Sequence, residues 1–142
     1  MAAQPIEIML IEDNSDDIDL TVRSLRDHGI LNQIQILRDG EEAMAFFFDA
    51  PAAQDDLNDL RIVLLDLKLP KVYGLEVLER LKSDPRTKPI PVVMLTSSHE
   101  DQDIAKCYQL GANSYIVKPV DFAQFSEVVR ELGKYWLVIN KR

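Results

Sequence analysis

One cysteine, Cys107, and two widely separated histidines, His28 and His99, leave little for sulfur or imidazole chemistry. A lone cysteine excludes an internal disulfide and a thiolate zinc cluster, and the histidines have no metal-ligand spacing. Cys107 is accordingly read as a small packing residue. No apolar run approaches the ~20 residues of a membrane span, and Met1-Ala-Ala-Gln-Pro5 lacks a charged start followed by a long apolar core. These absences point to a cytoplasmic protein with no membrane partner. Positive charge is also short: 16 Lys and Arg face 24 Asp and Glu, a net charge of -8. That balance argues against nucleic acid as a partner, because its phosphates must be neutralised by basic side chains. A protein partner or a small phosphorylated one fits better.

What the chain does have is an ordinary globular balance, 46% hydrophobic and 28% charged over 142 residues, enough for one domain with a full core. It is organised around Arg61-Ile-Val-Leu-Leu-Asp66, an unbroken apolar run that ends on a carboxylate. Such a run reads as a strand buried on both faces, the habit of parallel sheets covered by helices. Asp66 then sits at a carboxyl strand end, where open α/β sheets bind ligands.

Four further strands are expected over residues 6–11, 32–37, 90–95 and 113–117, the second of them alternating and at an edge. Between them lie helices with apolar residues at helical spacing. The first is capped by Ser15, carries Asp16 and Asp17 at the positive end of its dipole, buries Ile18, Val22 and Leu25, and stops at Gly29. The second opens at Asp39-Gly40 and buries Ala43, Phe46 and Phe47, with Phe48 off that face. Residues 51–59 read as an acidic loop. A third helix runs from Gly74 to Ser83-Asp84-Pro85, a fourth over about 100–110 to a stop at Gly111, and Asp121 caps the fifth. Five strands alternating with five helices make a doubly wound α/β domain with a parallel sheet. Its core spans about 6–132 of a single domain 1–142, with the last helix extended to about 139.

In a parallel sheet all carboxyl ends share one edge, so Glu12, Asp13, Asp66, Thr96 and Lys118 are expected to converge. Three carboxylates at close quarters repel; two unit charges ~4 Å apart cost about 4 kcal/mol at an intermediate dielectric. A divalent cation relieves this, and an all-oxygen site with few protein ligands suits Mg²⁺. Taken singly, an acidic pair after a strand is more often a helix cap, Lys118 a solvated lysine and Thr96 a turn residue. Their joint placement at one edge is what favours a site.

Glu12-Asp13 after the first strand, Asp66 with Pro70 and Gly74 after the third, Thr96-Ser97 after the fourth and Lys118-Pro119 after the fifth resemble the receiver domain of bacterial two-component response regulators. The resemblance covers about residues 6–132. It implies a flavodoxin-like sheet of order 2-1-3-4-5, a phosphoryl group accepted on Asp66 from a sensor histidine kinase, and no enzyme beyond assistance to that transfer and to its own dephosphorylation. It also implies Mg²⁺ held by Asp13, Asp66 and the backbone carbonyl of Lys68, with Glu12 acting through water. Lys118 would hold a phosphoryl oxygen, Thr96 would donate its hydroxyl to another, and Tyr115 would be the switch aromatic. The Lys118-Pro119 bond would be cis. Phosphorylation would then shift the face built from the fourth helix, fifth strand and fifth helix.

The acidic stretch 51–59, the phrase Leu81-Lys-Ser-Asp-Pro-Arg-Thr-Lys-Pro-Ile-Pro-Val-Val-Met-Leu-Thr-Ser-Ser98 and Tyr135-Trp136-Leu137 are similar to the small single-domain regulators that partner phytochrome-type histidine kinases. Light-linked signalling and a homodimer follow from that likeness. With no output domain expected after the last helix, the effect would pass to a downstream protein or a phosphotransfer domain. In the last helix Phe122, Phe125, Val129, Leu132 and Trp136 are expected to face the sheet, leaving Val128, Tyr135 and Ile139 over. Lys68 and Ser98 stand where side chains bear on the water that hydrolyses the acyl phosphate. Three rivals remain. A haloacid-dehalogenase-type phosphatase needs an aspartate two residues after the nucleophile, where Lys68 stands. A flavodoxin-type binder needs a glycine-rich phosphate turn that is absent. A phosphorylation-independent interaction module would keep the fold.

Overall fold

Strand β3 (Ile62–Asp66) is the middle of the molecule, and every residue in it is buried. A computed structural model of the chain describes residues 5–49, 54–97 and 101–133. Around β3 lie β1 (Ile8–Ile11), β2 (Ile34–Leu37), β4 (Val92–Thr96) and β5 (Ser114–Val117), in the order β2-β1-β3-β4-β5, all parallel. The expected order and the edge position of the second strand both hold.

The apolar runs work because both sheet faces are covered. Along β3, Val63 and Leu65 join one core cluster, with Ala43, Phe47, Val77, Leu78 and Cys107. Ile62 and Leu64 point the other way, into a cluster with Ile18, Leu25, Phe125 and Val129. Each fully buried side chain of this kind contributes about 1.5–3 kcal/mol of apolar burial, so a polar residue in either set would be expensive. The covering helices are α1 (Ser15–Asp27) and α6 (Phe122–Glu131) on one face, and on the other α2 (Gly40–Met44), α3 (Gln54–Asp59), α4 (Gly74–Ser83) and α5 (Asp101–Gln109).

Several local expectations need correction. Asn14, not Ser15, is the cap of α1: its side chain accepts a hydrogen bond from the Asp17 N–H, and Ser15 is the first helical residue. The stretch 51–59 is not all loop, since α3 occupies Gln54–Asp59 and buries Leu57. One apolar residue in a short acidic turn is enough to seat it. After α2 the chain continues as a π-helical turn, Ala45–Asp49. The wider turn re-aims Phe48, whose ring lies beneath the Arg80 guanidinium at 4.3 Å, a cation–π contact. That places the residue that did not fit the helical face. Val128 is buried in the α6 packing rather than left over. Ser98, Tyr135, Trp136, Ile139 and the helical extension to 139 lie outside the described residues. Among the described residues no helix is long and apolar enough to cross a membrane.

Candidate functional site

The parallel register sets the site's height. Asp66 pairs with Leu95 and Thr96 with Val117, so Asp66, Thr96 and Lys118 leave the sheet along one edge, and Glu12 and Asp13 follow Ile11 there. Glu12, Asp13 and Asp66 each offer a carboxylate oxygen within 4.8 Å of the others. Lys118 Nζ donates to Glu12 Oε1 at 3.2 Å, to Asp17 Oδ2 at 3.1 Å and to Asp66 Oδ2 at 3.3 Å. Residues over a hundred positions apart thus meet in one pocket.

Each group is held by local structure. The Lys68 N–H donates to Asp66 Oδ1 at 3.2 Å and orients the carboxylate. Gly74 starts α4 directly against β3: a Cβ there would lie 2.2 Å from the Asp66 carbonyl oxygen, so no side chain fits. Glu12 Oε2 accepts the Asn14 N–H at 3.2 Å, which leaves its other oxygen for Lys118. The Lys118 N–H donates to the Thr96 carbonyl at 2.7 Å, and the Lys118-Pro119 bond is cis as expected. Gln124 closes the turn from α6, its Nε2 donating to the Val117 and Pro119 carbonyls at 3.1 and 3.2 Å.

The electrostatics are those of crowded charge. Burial, and then the adjacent Asp66 carboxylate, push Glu12 up to about 7, against the pull of the Asn14 N–H and Lys118. Burial disfavours the Lys118 ammonium, but Asp66, Asp17 and Glu12 outweigh it and hold its pKa above the ordinary lysine range. Four carboxylates around one ammonium leave a net negative pocket. All the donors are oxygen and two of the acids, Glu12 and Asp66, are almost wholly buried, which suits a hard divalent cation rather than zinc or copper.

Thr96 is buried at the end of β4, beside the Asp66 strand end. Tyr115 stands apart from the pocket, half-buried on edge strand β5, with its ring edge-on to Tyr108 at 6.2 Å. It lines a cavity of about 330 Å³ with Tyr108, Gln124 and Val128, between α5, β5 and α6. The five residues expected at the edge therefore gather, and Tyr115 belongs to a neighbouring face. Two participants escaped the sequence reading. Asp17 reads there only as a dipole partner in the first turn of α1. Gln124 looks like an ordinary exposed helical residue.

The family model described as the response regulator receiver domain matches residues 8–130. The chain belongs to this family. Its receiver domain is 39% identical over 140 residues to the probable methanogenesis regulatory protein FilR2 of Methanothrix harundinacea, covering 99% of this chain and 89% of that one. It is 37% identical to the response regulator Rcp1 of Synechocystis over 94% of this chain and 90% of Rcp1. The Mn²⁺-bound structure of Rcp1 matches with a TM-score of 0.71, covering 95% of this chain and 96% of that one. The bacteriophytochrome response regulator AtBRR matches at 42% identity with a TM-score of 0.83, covering 98% of this chain and 100% of that one. The receiver fold, the signalling class and the kinship with phytochrome response regulators are established by these likenesses. Receiver domains accept phosphoryl groups from histidine kinases and bind Mg²⁺ or Mn²⁺ at the acidic site.

Proposed function

We propose that Asp66 is the phosphoryl acceptor of this receiver. The observation that carries the reading is Lys118 Nζ, 3.3 Å from Asp66 Oδ2 although 52 positions separate them. An Asp66 carboxylate oxygen forms the new P–O bond as the P–N bond to the kinase histidine breaks, and the departing imidazole takes a proton. Lys118 holds an oxygen of the arriving group as a point charge, and the Thr96 hydroxyl donates to another. Asp13, Asp66 and the Lys68 carbonyl, with Glu12 through water, would hold the Mg²⁺. When bound, the ion neutralises charge that develops on the phosphoryl oxygens.

The phosphorylated Asp66 carries roughly -1.5 to -2 charges and new acceptors. Thr96 and Lys118 are drawn toward it, and Tyr115 turns inward, repacking the α5–β5–α6 face for a downstream protein or a phosphotransfer domain. The kinase is a phytochrome-type sensor and the setting is the cytoplasm. A second copy pairs through the region of α6, and residues 1–142 act as one domain.

The test is intact mass after incubation with acetyl phosphate and Mg²⁺. The wild type should gain one phosphoryl group and Asp66→Asn none. A wild type that gains no mass would overturn the proposal and leave a phosphorylation-independent interaction module.

A further inference from the structure

The Lys118 ammonium has three N–H donors and three carboxylate partners, and two of these, Glu12 and Asp66, end strands of the sheet. The third, Asp17, comes from helix α1 at the shortest distance of the three, 3.1 Å, and is 30% exposed while the other two side chains are 1% and 5% exposed. It stands at the rim and they at the floor.

Asp17 is free for this contact because the cap of α1 is satisfied without it. Asn14 is the cap, so Asp17 is the third helical residue, the one whose side chain in a capping box reaches back to the cap's own N–H. Here that N–H is already taken by Glu12 Oε2 at 3.2 Å, while the Asp17 N–H is taken by Asn14 Oδ1 at 2.9 Å. The Asp17 carboxylate is thus released from helix capping and turned to Lys118. Without it, the ammonium would have only Glu12 and Asp66, and would pair more closely with the oxygen that has to attack phosphorus. A carboxylate held tightly by an ammonium is a poorer nucleophile.

Resting on the reading of Asp66 as acceptor, we infer that Asp17 is a positioning residue for phosphoryl acceptance: it shares the Lys118 ammonium away from Asp66 and holds it at the rim, where an incoming phosphoryl oxygen arrives. Asp17 touches neither the acceptor nor the transferred group and acts through Lys118.

The experiment compares wild type, Asp17→Ala and Asp17→Asn in the full chain, with acetyl phosphate as donor and Mg²⁺ held saturating. Loss of one hydrogen bond to a charged group predicts a limiting phosphorylation rate roughly tenfold lower in Asp17→Ala. The donor concentration for half-maximal rate should be unchanged. Asp17→Asn, whose amide oxygen still accepts from the ammonium, should recover part of that loss. In ¹H–¹⁵N spectra recorded without donor, the Lys118 NH₃⁺ signal should be visible in the wild type, broadened in Asp17→Asn and lost in Asp17→Ala. Should the alanine variant not fold, Asp17→Asn decides alone, and a wild-type rate with an unchanged Lys118 signal overturns the inference. A folded Asp17→Ala protein at the wild-type rate overturns it equally. If the wild type itself takes up no phosphoryl group, the acceptor reading falls, while the Lys118 signal still reports separately whether Asp17 holds the ammonium.

Discussion

The two ends of the sheet are built from similar polar residues and finish in opposite states. At the carboxyl edge, Lys118 sits among Glu12, Asp17 and Asp66, and the pocket keeps an excess of negative charge. At the amino edge, Lys82 near the end of α4 donates to the Lys88 and Ile90 carbonyls at 3.0 and 2.8 Å. Its neighbours are satisfied there too: Thr87 Oγ1 donates to the Leu81 carbonyl at 2.6 Å, and Asp84 Oδ1 accepts the Arg86 N–H at 2.8 Å. One lysine is held by carboxylates and its pKa rises; the other is half-buried against neutral carbonyls, and burial followed by Lys88 lowers its pKa to about 8. The difference teaches that a buried lysine by itself says little about chemistry. The unbalanced charge around it does.

Exchanging the lysines for methionine should separate the two edges most sharply. Lys118→Met is expected to slow phosphorylation of Asp66 by roughly 10²–10³, the usual cost of removing one preorganised donor from a site of developing charge. Lys82→Met should leave that rate within about twofold, measured with acetyl phosphate. Equal losses in both variants would erase the distinction drawn here.

Glycines make the second comparison. Gly74→Ala pushes a Cβ against the Asp66 backbone, which cannot yield as a side chain can, and should cost about 2–3 kcal/mol in urea unfolding. Gly111→Ala brings a Cβ against the stem of Lys82, with Cγ at 2.9 Å and Cβ at 3.2 Å, at a φ of +104° that L residues avoid. About 1–2 kcal/mol is expected there. A larger loss at Gly111 would make the amino edge the more tightly built end.

The third comparison is a pH slope. The folded pKa of Lys82, about 8, lies below its unfolded value, so between these pH values the unfolded chain binds more protons. Stability should therefore rise from about pH 8 toward about 10.5, and the gain is lost as pH falls through the folded value. Lys82→Met should abolish this slope and cost about 1 kcal/mol through its two lost carbonyl bonds. Parallel curves for variant and wild type in this window would count against a lowered Lys82 pKa.

How legible these ends were from sequence follows from the same contrast. The strands were readable because Ile62 to Leu65 and Val92 to Leu95 are contiguous apolar runs with no competing interpretation. The five edge residues were readable because a parallel sheet puts its carboxyl ends together whatever the loops do. Asp17 was not, since an acid in the first turn of a helix already has a sufficient local explanation, and its tertiary partner lies 101 positions away. Gln124 hid for the same reason. The π-helical turn and α3 each depend on one side chain, Phe48 and Leu57, finding a neighbour that no short-range pattern reveals. The phrase from Leu81 to Ser98 marked a subgroup in the sequence, and its first part, through Lys82, Thr87 and Ile90, ties the last turn of α4 to the approach to β4.

The loop that follows Asp66 is tied at its start to β4, where the Leu67 N–H donates to the Leu95 carbonyl at 2.9 Å, and further on to α2. The Gly40 N–H donates to the Pro70 carbonyl at 3.3 Å, and Lys71, in left-handed backbone at φ +71°, reaches Asp39 and Glu41 at 3.5 and 3.4 Å. These fastenings couple the far end of the loop to the start of α2. A group added at the Asp66 side chain would therefore sit beside a loop pinned at Leu67 and again at Pro70 and Lys71.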